Sequence, residues 1–389
     1  MENFVYNVKT KIIFGRNTED KIADEIKLIV PNGKVLLHYG GGSIKKNGLY
    51  DKVIAQLRLA NIEFVELGGV QPNPRLALAQ EGIKICQEQN IDFILAVGGG
   101  SVIDSAKCIA VGAVNEENFW QKYYVERQEV TKALPIGTVL TIPAAGSESS
   151  GGSVITDEVN ERKIYANGDV LRPEFSILNP ELSYTLPKYQ IACGAADILA
   201  HIMERYFSNS VGVDFTDQLC EAAMKSLIKN APEAIVNPLN YDVRAEVMLA
   251  GLYAHSDCLG VGRVGDWATH DIEHELSAIY DIAHGEGLAI MFPAWMKFVG
   301  KNNPHKVVQF AENVLDITLG TEEEKIAAAI TTLKNWFKLL GLKNNLREFS
   351  EISQEKFQLM AKRCTPNGTL GNYVELTTTD IFEIFSIAW

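Results

Sequence analysis

The first half of the chain alternates short apolar runs with stretches of helical spacing. Lys34–Tyr39 (KVLLHY) predicts a buried strand that stops at Gly40–Gly42, and Gly48–Ala60 follows with a helical pattern. Ile62–Leu67 predicts a second strand, closed by the Pro-Asn-Pro turn at Pro72–Pro74, and Arg75–Asn90 a charged amphipathic helix. Asp92–Val97 runs into Gly98–Gly100, Ser101–Val114 is helical, and Leu134–Ile142 is strand-like up to Pro143. This β-α-β-α-β order implies a mostly parallel sheet with helices on its faces. Ligands of such sheets bind at the carboxyl ends of the strands, where both triple-glycine turns fall. Val154–Ile155 and Lys163–Tyr165 flank a charged turn and predict a hairpin; Phe175–Leu178 is a last short strand.

Beyond about Leu186 the strand signals fade. Helical patterns take over at Tyr189–Ser208, Asp214–Asn230, Asp242–Cys258 and Glu322–Leu340. The expected fold class is therefore α/β plus all-α, with a parallel-sheet domain over residues 1–186 and a helical domain over 187–389. A length of 389 residues suits two domains. No flexible linker separates them, so close packing around a cleft is expected.

Composition narrows the classes. Apolar residues make up 47% and charged residues 22%, which excludes a disordered, collagen-like or disulfide-scaffold chain. The net charge of −13 argues against nucleic acid or an anionic membrane surface as the main partner. Six scattered cysteines without a C-x-x-C pair fit free thiols that fill the core in a reducing compartment. The N-terminus carries no signal-peptide pattern and no apolar run is long enough to span a bilayer, so a cytoplasmic location is expected.

Glycines after a strand let backbone N–H groups approach a phosphate, and a following helix adds the positive end of its dipole. Gly98, Gly99, Gly100 and Ser101, with Asp104 a turn later, form such a strand-to-helix junction, although Ile103 replaces the third glycine of the G-x-G-x-x-G fingerprint. The alternative is a tight turn that binds nothing. The first turn, Gly40-Gly41-Gly42-Ser43-Ile44-Lys45-Lys46, has no carboxylate before Asp51 to read a ribose 2′-hydroxyl. Its hydroxyl and lysines suit a 2′-phosphate instead, which points to NADP(H) over NAD(H). A solvated basic turn is the plainer reading.

Four of the seven histidines fall in two segments. Asp197 and His201 are four apart, as are His270 and His274, so on helices each pair shares a face. His284 lies 14 residues beyond His270, about 21 Å along a continuous helix at ~1.5 Å per residue. Either His284 is no ligand, or the helix ends and the chain turns back. The fading pattern at Tyr280-Asp281 and the glycines at 285 and 287 favour the turn. Imidazole and carboxylate ligands suit Zn²⁺ or Fe²⁺, and one Asp with three His leaves a position open for substrate. The segment is not a zincin, because Asp271 rather than Glu follows His270. His38, His255 and His305 have no such company and read as structural.

These residues together resemble the iron-containing (group III) alcohol dehydrogenases, most closely the NADP-dependent butanol dehydrogenase and aldehyde reductase branch. The resemblance rests on G-G-G-S-x-x-K at Gly40–Lys46, G-G-G-S-x-x-D at Gly98–Asp104, and P-A-x-G-S-E at Pro143–Glu148. It rests further on G-x-x-D-x-x-x-H at Gly194–His201 and D-W-A-T-H-x-I-x-H-E-L with H-G-x-G at Asp266–Gly287. The resemblance implies a dehydroquinate synthase-like fold: a Rossmann-like dinucleotide-binding domain, a helical metal-binding domain, and an active site between them. It implies one divalent metal, Fe²⁺ or Zn²⁺, on Asp197, His201, His270 and His284, with His274 beside the nicotinamide. It assigns Thr138, Thr141 and Lys163 to the cofactor, and Gly41, Gly42, Ser43 and Lys46 to the 2′-phosphate. Ala145 stands where relatives often have Thr.

The expected reaction is hydride transfer between NADP(H) and a short- or medium-chain aldehyde or alcohol such as butyraldehyde or butanol, with His274 as a candidate proton relay. A homodimer is the family habit. The rival readings are an NAD-dependent polyol dehydrogenase, a dehydroquinate synthase-like lyase and a non-catalytic NADP(H) sensor. The lyase would need a basic pocket near the histidine segments, and none is seen.

Overall fold

The computed structural model describes residues 1–115, 118–366 and 368–389. The chain forms two compact units, Asn7–Leu186 and Met1–Tyr6 with Pro187–Trp389.

The first unit is built on strands and their crossover helices. In chain order these are β1 (Lys11–Phe14), α1 (Ile22–Ile29), β2 (Val35–Gly40), α2 (Ser43–Lys46), α3 (Leu49–Leu59), β3 (Phe64–Val70), α4 (Leu76–Gln89), β4 (Phe93–Gly99) and α5 (Gly100–Val114). Then come β5 (Ile136–Ile142), β6 (Gly152–Asp157), β7 (Arg162–Asn167) and β8 (Phe175–Leu178). Six strands pair in parallel in the order β1-β8-β5-β4-β2-β3, and β6-β7 is a separate antiparallel hairpin. β4 is buried along its whole length, as expected for a central strand covered on both faces. Phe93 and Phe175 stack beneath it with ring centroids 6.0 Å apart. Gly137 on β5 makes room for them, since a Cβ there would lie 2.4 Å from the Phe175 ring.

The connections fix where this sheet can bind a ligand. β2 leads outward to β3, whereas β4 leads the other way to β5. The chain therefore reverses its winding between β2 and β4, and that is where an open parallel sheet leaves a crevice at its carboxyl edge. Tyr39 pairs with Val97 and Gly99 with Ile142, so the two glycine turns and the end of β5 line up along this edge.

The second unit is helical: α6 (Lys188–Tyr206), α7 (Asp214–Val236), α8 (Tyr241–Ala254), α9 (Ala268–Tyr280), α10 (His284–Asn302), α11 (His305–Asn313), α12 (Glu322–Leu339), α13 (Phe357–Cys364) and α14 (Thr378–Ala388). α10 is the core helix, buried almost throughout and packed against α6, α9, α12 and α14. Among the described residues no helix is long and apolar enough to cross a membrane.

Three features differ from expectation. Residues 1–6 pack with the helical unit rather than the sheet. The Met1 amine donates to the Val211 carbonyl, and the Glu2 N–H donates to Gly262 O at 2.8 Å. KIIF at Lys11–Phe14 is an edge strand too short to show a period. α7 runs past Asn230 and through Pro232. Proline deprives the carbonyl four residues earlier of its donor; here that carbonyl, on Ile228, accepts the Trp336 indole N–H at 3.0 Å.

His38 on β2 is fully buried, with Nδ1 2.8 Å from the Leu67 carbonyl and Nε2 2.9 Å from the Ser105 hydroxyl. The neutral ring fits both: Nδ1–H donates, and Nε2 accepts from Ser105. Burial pushes the imidazole down to about 4. The unfolded chain therefore takes up this proton at higher pH than the folded one, and stability is lost as pH falls from about 6.5 to about 4. The expected loss from this group is about 3 kcal/mol. Urea unfolding across this range should show a shallower acid decline for His38→Gln than for the parent; parallel curves would contradict the assignment.

Candidate metal and dinucleotide sites

In the helical unit, α6 carries Asp197, His201 and Glu204 at positions i, i+4 and i+7, one buried face. α9 carries His270, Glu273, His274 and Ser277 on another buried face. α9 ends at Tyr280, Asp281 takes a left-handed conformation (φ 52°), and a new helix starts at His284. The long span that a continuous helix would impose between His270 and His284 therefore does not arise, and their ring centroids are 5.4 Å apart.

Glycine makes this approach possible. A Cβ on Gly285 would lie 2.0 Å from the Cys193 carbonyl on α6, and one on Gly287 would lie 2.5 Å from Glu273 Oε1 on α9. The first turn of α10 can therefore press against both helices only because these positions lack side chains.

Asp197, His201 and His270 bring one ligand-type atom each within 4.8 Å of one another, and Glu273, His274 and His284 do the same. His284 Nε2 joins the two groups, 3.9 Å from Asp197 Oδ1. His201 Nδ1 is 2.9 Å from that same oxygen and 3.3 Å from His270 Nε2. Asp197 Oδ1 is buried and accepts no hydrogen bond. A bare carboxylate oxygen surrounded by imidazole nitrogens fits a divalent cation of borderline-to-hard character.

The electrostatics fit as well. Burial alone would raise the Asp197 carboxyl, but His201, His284 and His270 hold it well below the usual carboxylate range. Burial, then the neighbouring His201, pushes His270 far below the ordinary imidazole range, which favours the neutral ring a metal requires.

Two residues absent from the sequence-based set complete the cluster. Glu204 accepts from His270 Nδ1 at 2.8 Å, from the His270 backbone N–H at 3.1 Å and from the Trp267 N–H at 2.6 Å. Burial pushes its carboxyl up to about 8 against the pull of these donors. Glu273 accepts from His284 Nδ1 and from the Ser277 hydroxyl. Both histidines thus turn Nε2 toward Asp197. The visible signal was a repeated His-x-x-Glu, at 201–204 and 270–273. His255, expected to be structural, borders the cluster with its ring 4.8 Å from His201 and takes a bond from Arg205. His274 is buried, with its ring 5.3 Å from His284.

In the sheet unit, Gly41, Ser43 and Lys46 are exposed. Nothing lies within 4 Å of a Cβ placed on Gly41 or Gly42, and φ of 112° reserves position 42 for glycine. Lys45 is engaged over the Tyr39 and Tyr50 rings, which also donate to Glu66; Lys46 is not. Gly98 and Gly99 are tightly packed, a Cβ on Gly98 falling 2.4 Å from Val102, while Gly100 and Ser101 at the start of α5 are half-buried. Asp104 is turned inward, accepting from the Ser147 hydroxyl at 2.7 Å and the Val154 N–H at 3.0 Å. Thr141 is near the end of β5, and Lys163 on β7 donates to Asn73 at 3.1 Å. Thr138 does not join them. It is fully buried inside the sheet and its hydroxyl donates to Ser176 on β8.

Two family models match the chain, iron-containing alcohol dehydrogenase over residues 9–180 and the Fe-containing alcohol dehydrogenase family C-terminal region over 191–389. The probable NADH-dependent butanol dehydrogenase 1 of Bacillus subtilis is 42% identical over 387 residues, 99% of each chain. The NADPH-dependent aldehyde reductase YqhD of Escherichia coli is 38% identical over 351 residues, 90% of this chain and 89% of that one. The crystal structure of NADH-dependent butanol dehydrogenase A from Thermotoga maritima superposes with a TM-score of 0.95 at 40% identity, covering 100% of this chain and 99% of the other. With both halves matched and full-length relatives above 40% identity, the chain belongs to the iron-containing alcohol dehydrogenase family.

Proposed function

We propose that this chain is a metal-dependent alcohol dehydrogenase that interconverts short- or medium-chain aliphatic aldehydes and alcohols, butyraldehyde and butanol among them, with NADP(H) preferred over NAD(H). The observation that carries the reading is the buried, unbonded Asp197 Oδ1 facing three imidazoles. The butanol and aldehyde names of the relatives support the substrate class.

Asp197, His201, His270 and His284 would hold one divalent cation. Glu204 and Glu273 accept from Nδ1 of His270 and His284, which would leave Nε2 of each free to hold the cation. Gly98–Ser101 and the amino end of α5 would receive the dinucleotide pyrophosphate. Ser43 and Lys46 would take a 2′-phosphate, and no carboxylate on that turn competes. When bound, the cation supplies Lewis acidity and the nicotinamide supplies the hydride of aldehyde reduction. His274, buried one helical turn beyond His270, would hold the proton that the product oxygen needs.

Three measurements test this. Asp197→Ala and His270→Ala should each lose metal, read by elemental analysis, together with NADPH oxidation at 340 nm on butyraldehyde; an active, metal-free variant would sink the metal site. Lys46→Ala should raise KM for NADPH about tenfold or more while leaving that for NADH nearly unchanged. Equal effects would remove the 2′-phosphate role and favour NAD(H), the cofactor in the names of the B. subtilis and T. maritima relatives. His274→Ala should keep its metal and slow turnover by about 10²-fold or more, with the alkaline or acid limb of the pH profile altered; loss of metal would show His274 to be a ligand instead.

A further inference from the structure

Lys107 is the one cation of α5 that the proposed function leaves unused. It is fully buried. Its Nζ donates to the backbone carbonyls of Ser147, Ser150 and Gly152, each at 2.8 Å, and lies 3.2 Å from the Ser150 hydroxyl. The buried Asp104 and Glu148 carboxylates favour its charge through space, while its hydrogen bonds go to the 147–152 segment. An ammonium costs several kcal/mol to bury, more than any apolar side chain of the same length. Space-filling therefore does not explain it, and the carbonyls do. Residues 147–151 lie in no strand, yet Ser147 and Ser150 are buried, so their carbonyls need donors that no ladder supplies, while the Ser149 carbonyl accepts from Arg172 at 2.7 Å. The three N–H groups of one ammonium meet that need.

The gripped segment borders the glycine turn. A Cβ placed on Gly100 would be 3.5 Å from Ser147 Oγ. One turn before Lys107, Asp104 accepts from the Ser147 hydroxyl and the Val154 N–H. Asp104 and Lys107 share a face of α5, so the helix holds the segment by its hydrogen-bond donors at one point and by its carbonyls at the next. α5 is also the helix whose amino end starts at Gly100.

We propose that Lys107 is a positioning residue of the dinucleotide site, an internal cation that sets the 143–152 segment against the Gly98–Gly100 turn and thereby determines cofactor affinity rather than the chemical step. The inference rests on the dinucleotide reading given above. It is tested on the full-length protein by NADPH fluorescence titration, with kcat measured at saturating NADPH. Folded Lys107→Met should bind NADPH about tenfold more weakly or worse, with kcat within about threefold of the parent. Lys107→Ala should regain affinity in methylammonium chloride and not in sodium chloride of equal ionic strength, because only the former can donate to the three carbonyls. A purely structural lysine would lower the melting temperature and leave the Kd of the folded protein unchanged. That result overturns the proposal, as does equal rescue by both salts. Should neither variant fold, Ser150→Ala removes one of the ammonium's partners and leaves the rest. A Kd raised about two- to fivefold supports the clamp, and an unchanged Kd overturns it. A parent protein that binds neither NADPH nor NADH overturns both this inference and the dinucleotide reading; tight binding by the parent with indifferent variants overturns this inference alone.

Discussion

A carboxylate oxygen buried without a hydrogen bond is among the costlier things a folded chain can hold, and Asp197 Oδ1 is one. What offsets the cost is the convergence of imidazoles from α6, α9 and α10 on that oxygen. Each must arrive in a defined orientation, so the requirement propagates outward. It demands that α9 stop at Tyr280, that Asp281 accept a left-handed backbone, and that α10 begin close enough to α6 for a glycine to be the only residue that fits at 285. The burial of α10 along most of its length then anchors the arrangement in the apolar core. Metal chemistry and helix packing are in this sense one problem with one solution.

The sheet unit solves a different problem, that of presenting backbone N–H groups without blocking them. Its parallel order places the ends of β2, β4 and β5 side by side at the point where the winding direction reverses. The two glycine turns there are not equivalent. Gly98 and Gly99 are enclosed by Val102 and Ile142, so their lack of side chains serves packing as much as access, whereas Gly41 and Gly42 face open space. The open turn also carries Lys46, which no side chain engages among the described residues, while its neighbour Lys45 is held over two tyrosine rings. On the proposed function, selectivity among phosphate-bearing ligands would fall to the first turn and rigid support to the second.

Much of this was legible before any coordinates, because local patterns encode it. A continuous apolar run ending in three glycines specifies a central strand and the turn at its carboxyl end. A four-residue spacing of ligand-type residues specifies a shared helical face, and the fading pattern at Tyr280-Asp281 with the glycines at 285 and 287 favours the break before His284. What stayed hidden depends on partners distant in sequence. α7 crosses Pro232 because an indole 108 residues away from Ile228 supplies the missing donor. β1 is a strand because β8 pairs with it, not because KIIF has a period. The bond from the Thr138 hydroxyl to Ser176 on β8 likewise depends on a partner 38 residues away. Nothing local to Lys107 announces that three carbonyls will surround it.

The pairing of the two His-x-x-Glu spacings shows why the histidine–carboxylate cluster has the form it has. Residues three apart on a helix share a face, so the simplest arrangement would let each glutamate orient the histidine of its own segment. The structure pairs them otherwise. Glu204 of α6 takes the Nδ1–H of His270 on α9, and Glu273 of α9 takes that of His284 at the start of α10. A pairing within one helix would orient a ring and do nothing else. These cross-helix pairs orient the rings and also tie α6 to α9 and α9 to α10. Sliding any of these helices would strand a buried carboxyl without its donors, at a cost of about 1–3 kcal/mol or more for each lost partner. The packing that satisfies the glutamates is therefore the same packing that brings Asp197, His201, His270 and His284 together. The candidate donor set is held in place by hydrogen bonds that no cation has to form, so a cation bound there would not have to spend binding free energy on assembling the site.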